Sequence, residues 1–155
     1  MELKTKVKAA EGEQQLIITR EFDLPVQLLF KAFADPELLG QWMGTKVTFL
    51  ENNNLGKYQF ETKDGSGNVV FSAQGTIHRV KENEQIVRTF EMSNAPFDAQ
   101  FEFLNFKAKS DNQSLLEMQV IYKSKEIRSE MLKLPFSSGI SKAHDRLEKL
   151  MTNAI

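Results

Sequence analysis

From residue 45 to about 123 the chain carries only strand patterns and the turns that join them, and this run decides the architecture. "TKVTFLE" passes through the turn "NNNLG" into "KYQFETK", where Tyr58, Phe60 and Thr62 alternate with Gln59 and Glu61. After "DGSG", the segment "NVVFSAQGTIHRV" places Phe71, Ala73, Gly75 and Ile77 on one side. "KENE" turns into "QIVRTFEM", and the loop "SNAPFD" leads to "AQFEFLNFKAK". Past "SDNQS", the segment "LLEMQVIY" sets Leu116, Met118, Val120 and Tyr122 against Glu117 and Gln119. Six strands at hairpin spacing assemble as an antiparallel meander with one apolar face. That face needs a cover. The only large amphipathic element left spans 138–153, where Ile140, Ala143, Leu147, Leu150 and Met151 share one helical face. Ser137 or Ser138 is placed to cap it, after a short helix in "SKEIRSEMLK" and a break at "LPFSSG".

Upstream of the meander, "QLIITREF" (15–22) reads as a seventh strand, with Leu16, Ile18 and Phe22 on one face. It is followed by "LPVQLLFKAFADPELLGQWMG" (24–44), which holds two short helices, each opened by a proline. Pro25 suits a first turn, where a missing N–H costs nothing, and Val26, Leu29, Phe30 and Phe33 then repeat at helical spacing. Asp35 is placed to cap the second helix, which begins with Pro36 and ends near Trp42 and Gly44. The reversal at Asp35–Pro36 folds the two helices into a V. With no linker, repeat or low-complexity block, residues 1–155 read as a single domain whose first 13 residues form a flexible tail. The expected class is α+β. It is a seven-stranded antiparallel sheet wrapped around a long C-terminal helix, with two short helices between strands one and two.

Composition removes several functions. Charged residues make up 26% and the net charge is -1. No basic stripe interleaved with aromatics is present, which argues against nucleic acid as a partner. Zero cysteines exclude disulfides, thiolate metal sites and a Cys nucleophile. No run approaches the length of a membrane span and the N-terminus lacks a signal-peptide core, so a cytoplasmic protein without membrane insertion is expected. Of the aromatic residues 12 are Phe, against two Tyr and one Trp, a set that builds apolar interior and brings few polar handles.

The positions Pro25, Phe30, Ala32, Asp35, Pro36 and Trp42, closed by Gly44, resemble the N-terminal signature of the activator of heat-shock protein 90 ATPase homologue family. That family lies within the START-like (SRPBCC, birch-pollen-allergen-like) superfamily, and the likeness in element order covers roughly residues 14–153. Relatives often carry Gly-Trp at the start of the last helix, where this chain has Gly139-Ile140. The resemblance implies a helix-grip fold with a cavity between sheet and last helix, in which many superfamily members hold lipids, sterols or polyketides.

Around such a cavity the strands offer Tyr58, Phe60, Phe71, Phe90, Met118 and Tyr122, with Phe101 and Phe103 also read as inward. The helices offer Phe33, Phe136, Ile140, Ala143 and Leu147. The phenylalanines either line a ligand space or fill the core, and Trp42 either gates the mouth or pins the helical V to the sheet. Arg20 and Arg88 fall in phase with apolar residues. Each could hold a ligand carboxylate, although a β-bulge or strand end that turns it to solvent is the favoured reading. His78 and His144 are both expected at the surface. Neither has a partner at metal-ligand spacing, so no metal site is expected. "GSGN" after Asp64 reads as a hairpin turn, no Ser sits in a nucleophile elbow, and no catalytic residue or cofactor motif stands out.

The leading expectation is therefore a carrier that binds an apolar, lipid-like or polycyclic small molecule and is not an enzyme. Second comes an interaction module for a chaperone of the heat-shock 90 type. No stretch before residue 14 is long enough to supply the separate N-terminal domain on which eukaryotic activators partly rely. Third is a cyclase- or aromatase-like enzyme, for which only Tyr58, Tyr122 and the two in-phase arginines offer polar groups.

Overall fold

A single antiparallel sheet carries the whole chain. The computed structural model describes residues 3–93 and 95–153. Its strands are β1 (Lys6–Lys8), β2 (Gln15–Phe22), β3 (Lys46–Leu50), β4 (Gly56–Lys63), β5 (Val69–Lys81), β6 (Gln85–Met92), β7 (Gln100–Ser110) and β8 (Gln113–Ile121). Their spatial order is β1-β2-β8-β7-β6-β5-β4-β3. The fold is helix-grip, with eight described strands where seven were expected. The extra strand, β1, comes from the segment read as a tail, and Val7 pairs with Ile18. A three-residue strand is too short to show alternation. It is held by what lies over it, since neighbouring Thr5 is only 2% exposed.

The inner face follows the expected phase on most strands. Tyr58 and Phe60 on β4, Ala73 and Ile77 on β5, and Leu116, Met118 and Val120 on β8 are all buried. On β7 the phase is the opposite of the expectation. Gln100, Glu102, Leu104 and Phe106 are buried and point inward, while Phe101 and Phe103 lie on the outer face, their rings tilted against each other with centroids 4.8 Å apart. The segment carries large apolar groups in both phases, so periodicity does not choose between them. Pairing does. Leu104 stands opposite Met118 and Phe106 opposite Leu116, and a slip of one residue would exchange the two faces.

Two short helices, α1 (Val26–Ala34) and α2 (Pro36–Met43), follow β2. Asp35 caps α2 as expected, its Oδ1 accepting from the backbone N–H of Glu37 and Leu38 at 3.0 Å each. Gly44 ends α2 in the left-handed region, at φ 73°, where a Cβ would be strained. After β8 come α3 (Lys125–Leu132) and α4 (Phe136–Asn153). Ser124 caps α3, accepting from the Ile127 N–H. Because α4 starts at Phe136, Ser137 and Ser138 lie inside its first turn and cap nothing, contrary to expectation. Leu147 and Met151 enter the core completely, whereas Ile140 and Ala143 are only partly buried against it.

The cover is fastened unevenly. All hydrogen bonds from α4 side chains to other elements, among the described residues, come from residues 144–148. His144 meets Thr5, Asp145 meets Arg20, Arg146 donates to the Trp42 carbonyl, and Glu148 accepts from the Asp23 N–H. Residues 136–143 rest on the core through half-buried apolar side chains.

Candidate functional site

Both in-phase arginines are inside the protein. Arg20 is 1% and Arg88 7% exposed, so the bulge or strand-end reading fails for both. A bulge does occur near Arg88, between Ile77 and Arg79 on the neighbouring strand. Even so, Arg88 keeps its place opposite Ile77. A carboxylate for each arginine makes burial affordable.

Arg20 belongs to the seam between sheet and helix. Its Nη1 donates to Asp145 Oδ1 at 2.8 Å, its Nη2 lies 3.6 Å from Glu148 Oε1, and its guanidinium sits 5.0 Å over the Phe22 ring. His144 occupies the same seam at 1% exposure, which corrects the expectation of a surface histidine. The periodicity of α4 placed His144 beside its charged face, but Thr5 and the helical V close over it. Its Nδ1 lies 2.8 Å from Thr5 Oγ1, and the Phe22 and Trp42 rings are 5.6 and 6.4 Å away. Burial, then the Arg20 charge, press its pKa down to about 4, with Asp145 opposing. Trp42 is set in this seam too, its indole N–H donating to the Ala32 carbonyl at 2.8 Å and its ring 5.0 Å from Phe33. Those bonds pin the V.

Arg88 stands in a different place, on the inner face in mid-sheet. There Arg88 pairs across strands with Glu102, and Phe90 with Gln100. Arg88 Nε donates to Glu102 Oε1 at 2.9 Å, and Gln100 Nε2 donates to Glu102 Oε2 at 2.7 Å. Both carboxylate oxygens are thus occupied. Tyr58 lies under the guanidinium, 5.3 Å from its ring centroid, and donates its hydroxyl to the Thr89 carbonyl. Gly75 permits this approach, because a Cβ there would stand 2.7 Å from the Tyr58 hydroxyl and 2.0 Å from the Thr89 oxygen. Tyr122 completes the row with a buried hydroxyl that has no hydrogen-bond partner. Burial first, then the Glu102 charge, push the Tyr122 hydroxyl pKa well up. For Tyr58 burial also raises it, against Arg88. Both tyrosines are therefore neutral donors at physiological pH.

The apolar neighbours of this polar row divide by exposure. Leu16, Ile18, Phe60, Ala73, Leu104 and Leu116 are sealed at 0–1%. Phe71, Phe90, Met92, Phe97, Phe136 and Ile140 pack against the same core but are only partly buried. Of the residues expected around a ligand, Tyr58, Phe60, Phe71, Arg88, Phe90, Met118 and Tyr122 share the inner face. Phe136, Ile140, Ala143 and Leu147 come from the covering helix. Phe33 and Trp42 lie in the His144 seam, and Phe101 and Phe103 lie outside, beside exposed His78. Surface clefts of about 470 and 450 Å³ flank the N-terminal segment and the far side of α4; Arg20 lines the first, and none of the other expected ligand residues lines either. Sequence reasoning missed Glu102 and Gln100. The available signal was Arg88 itself, since an arginine on an apolar face demands a carboxylate on a neighbouring strand. Among the described residues no group of three or more His, Asp or Glu side chains is placed to hold a metal ion. No helix among them is long and apolar enough to cross a membrane.

Comparisons with known proteins agree with this geometry. The family model described as Activator of Hsp90 ATPase homolog 1-like protein matches residues 23–152. No curated protein matches the chain. Among solved structures, protein Ms6760 from Mycobacterium smegmatis is similar at a TM-score of 0.83 and 21% identity, over 97% of this chain and 99% of that one. A protein from Rhodobacter sphaeroides is similar at 0.84 and 17%, over 97% and 99%. CalU16 from Micromonospora echinospora is similar at 0.64 and 15%, over 98% and 88%. At these identities the likeness concerns the fold.

Proposed function

Because the chain belongs to the family of Activator of Hsp90 ATPase homolog 1-like proteins, we propose that it is a cytoplasmic carrier which binds an apolar small molecule without transforming it. The ligand lies between the inner sheet face and the N-terminal half of α4. One observation carries this reading: the core that contains the polar row is bordered by Phe71, Phe90, Met92, Phe136 and Ile140, which are only partly buried against it. A core without a guest gains nothing from leaving that much apolar area in contact with water, at about 25 cal/mol per Å². The half of α4 beside it is the half without polar fasteners, so it can lift while residues 144–148 stay anchored. Native mass spectrometry of protein purified from its own host tests the proposal and should show a retained small molecule. A broad apolar panel should raise the melting temperature saturably. No retained mass together with no shift across the panel overturns it.

A second reading, contact with a chaperone of the heat-shock 90 type, is favoured by the family description. It requires that the host chaperone's ATP turnover rise when the protein is added. Unchanged turnover at excess protein rules it out.

A further inference from the structure

The polar row says what kind of ligand this site accepts, granted that the ligand-binding reading above is right. Arg88 is the only positive group in the row, and Glu102 already neutralises it at 2.9 Å. Gln100 occupies the second carboxylate oxygen, and the two tyrosines are uncharged. The row therefore carries no net charge. It does carry unused donors. The bond to Glu102 uses Nε alone, and the terminal nitrogens of Arg88 make no further hydrogen bond among the described residues. The Tyr122 hydroxyl, also without a partner, belongs to the same row.

We infer that the ligand is an uncharged apolar molecule with one hydrogen-bonding oxygen, such as a ketone, a phenol or a sterol-like alcohol, and that carboxylates such as fatty acids are rejected. A neutral oxygen accepts from the Tyr122 hydroxyl, which is otherwise buried without a partner, or from an unused Arg88 Nη. A carboxylate would bring a second negative charge to one guanidinium away from water. Two carboxylates on one guanidinium leave the site with a net negative charge, and either burying that charge or protonating one carboxylate at neutral pH costs free energy. The preference is set by Glu102: it turns an arginine that would attract acids into a donor for neutral oxygens.

The test uses three probes of one shape: anthracene, acetylanthracene and anthracene carboxylate, titrated by calorimetry into the intact protein at neutral pH. Acetylanthracene should bind more tightly than either of the others, by about tenfold or more if one buried donor is satisfied. The Glu102→Gln variant keeps the shape of the row and leaves Arg88 without a counter-charge, so the order of ketone and carboxylate should invert. Should Glu102→Gln not fold, the wild-type series still decides. A wild-type carboxylate affinity equal to or above that of the ketone overturns the inference while ligand binding stands. Equal affinity for hydrocarbon and ketone overturns it as well. If none of the three binds, and the broad apolar panel also fails, the carrier reading itself falls.

Discussion

The two buried arginines sit on the same face of the same sheet and solve the same problem in opposite ways. Arg20 reaches outward, to an Asp145 side chain that is 58% exposed and a Glu148 side chain that is 18% exposed. Water screens much of that network, and what it does is mechanical: it ties β2 to α4. Arg88 pairs with a carboxylate as buried as itself, 6% against 9%, on an adjacent strand already held by backbone hydrogen bonds. That pair joins nothing that needs joining. A buried ion pair costs about as much desolvation as it returns in attraction, so its place in mid-sheet is better explained by what it presents to the interior than by stability.

Mutations separate the two cases. The largest effect should come from Glu102→Leu, which strands the Arg88 charge and should cost about 3–5 kcal/mol. The double change Arg88→Met with Glu102→Leu should restore most of it, as urea denaturation would show. A double variant as unstable as the single one would mean that the pair is structural and the contrast with Arg20 is false.

Next is the pH response of the seam. His144 has a folded pKa of about 4 against an ordinary value of 6.5. Between those values the unfolded chain binds the extra proton and the folded one does not. Stability conferred by the neutral ring is therefore complete above 6.5 and lost as the pH falls toward 4, by about 3 kcal/mol in all. The groups facing the ring are Arg20, Asp145 and Thr5. His144→Gln should flatten this part of the urea-derived stability profile. An unchanged slope would mean that the ring is hydrated.

Arg20→Met should cost less, about 2 kcal/mol, because it removes charged hydrogen bonds but leaves carboxylates that water can reach. Equal losses at Arg20→Met and Glu102→Leu would erase the distinction. The smallest effect belongs to Asp145→Asn, below about 1 kcal/mol and weakened further by salt, as expected for an exposed partner.

Alternation and helical spacing were enough to read seven of the strands, the helical V with its Asp35 cap, and the covering helix. Each of these elements except β7 has one apolar phase, and the other phase is polar. Tyr58, Phe90 and Tyr122 were legible as inner-face residues for the same reason. Three things were not. The phase of β7 was ambiguous because Phe101, Phe103, Leu104 and Phe106 make both faces apolar, and only the pairing of Leu104 with Met118 and Phe106 with Leu116 chose between them. Glu102 and Gln100 went unseen with it. Strand β1 and the burial of His144 depend on each other through Thr5, across 139 positions of sequence, and neither segment carries a local sign of the other. The fate of the arginines was also beyond local pattern. Whether a guanidinium can stay on an apolar face depends on whether a carboxylate arrives beside it, and here one came from the next strand and others from the last helix. Local periodicity decides which faces are apolar. Long-range pairing alone decides which charges can be left inside, because desolvation is offset only by a partner that the fold brings within a few ångströms.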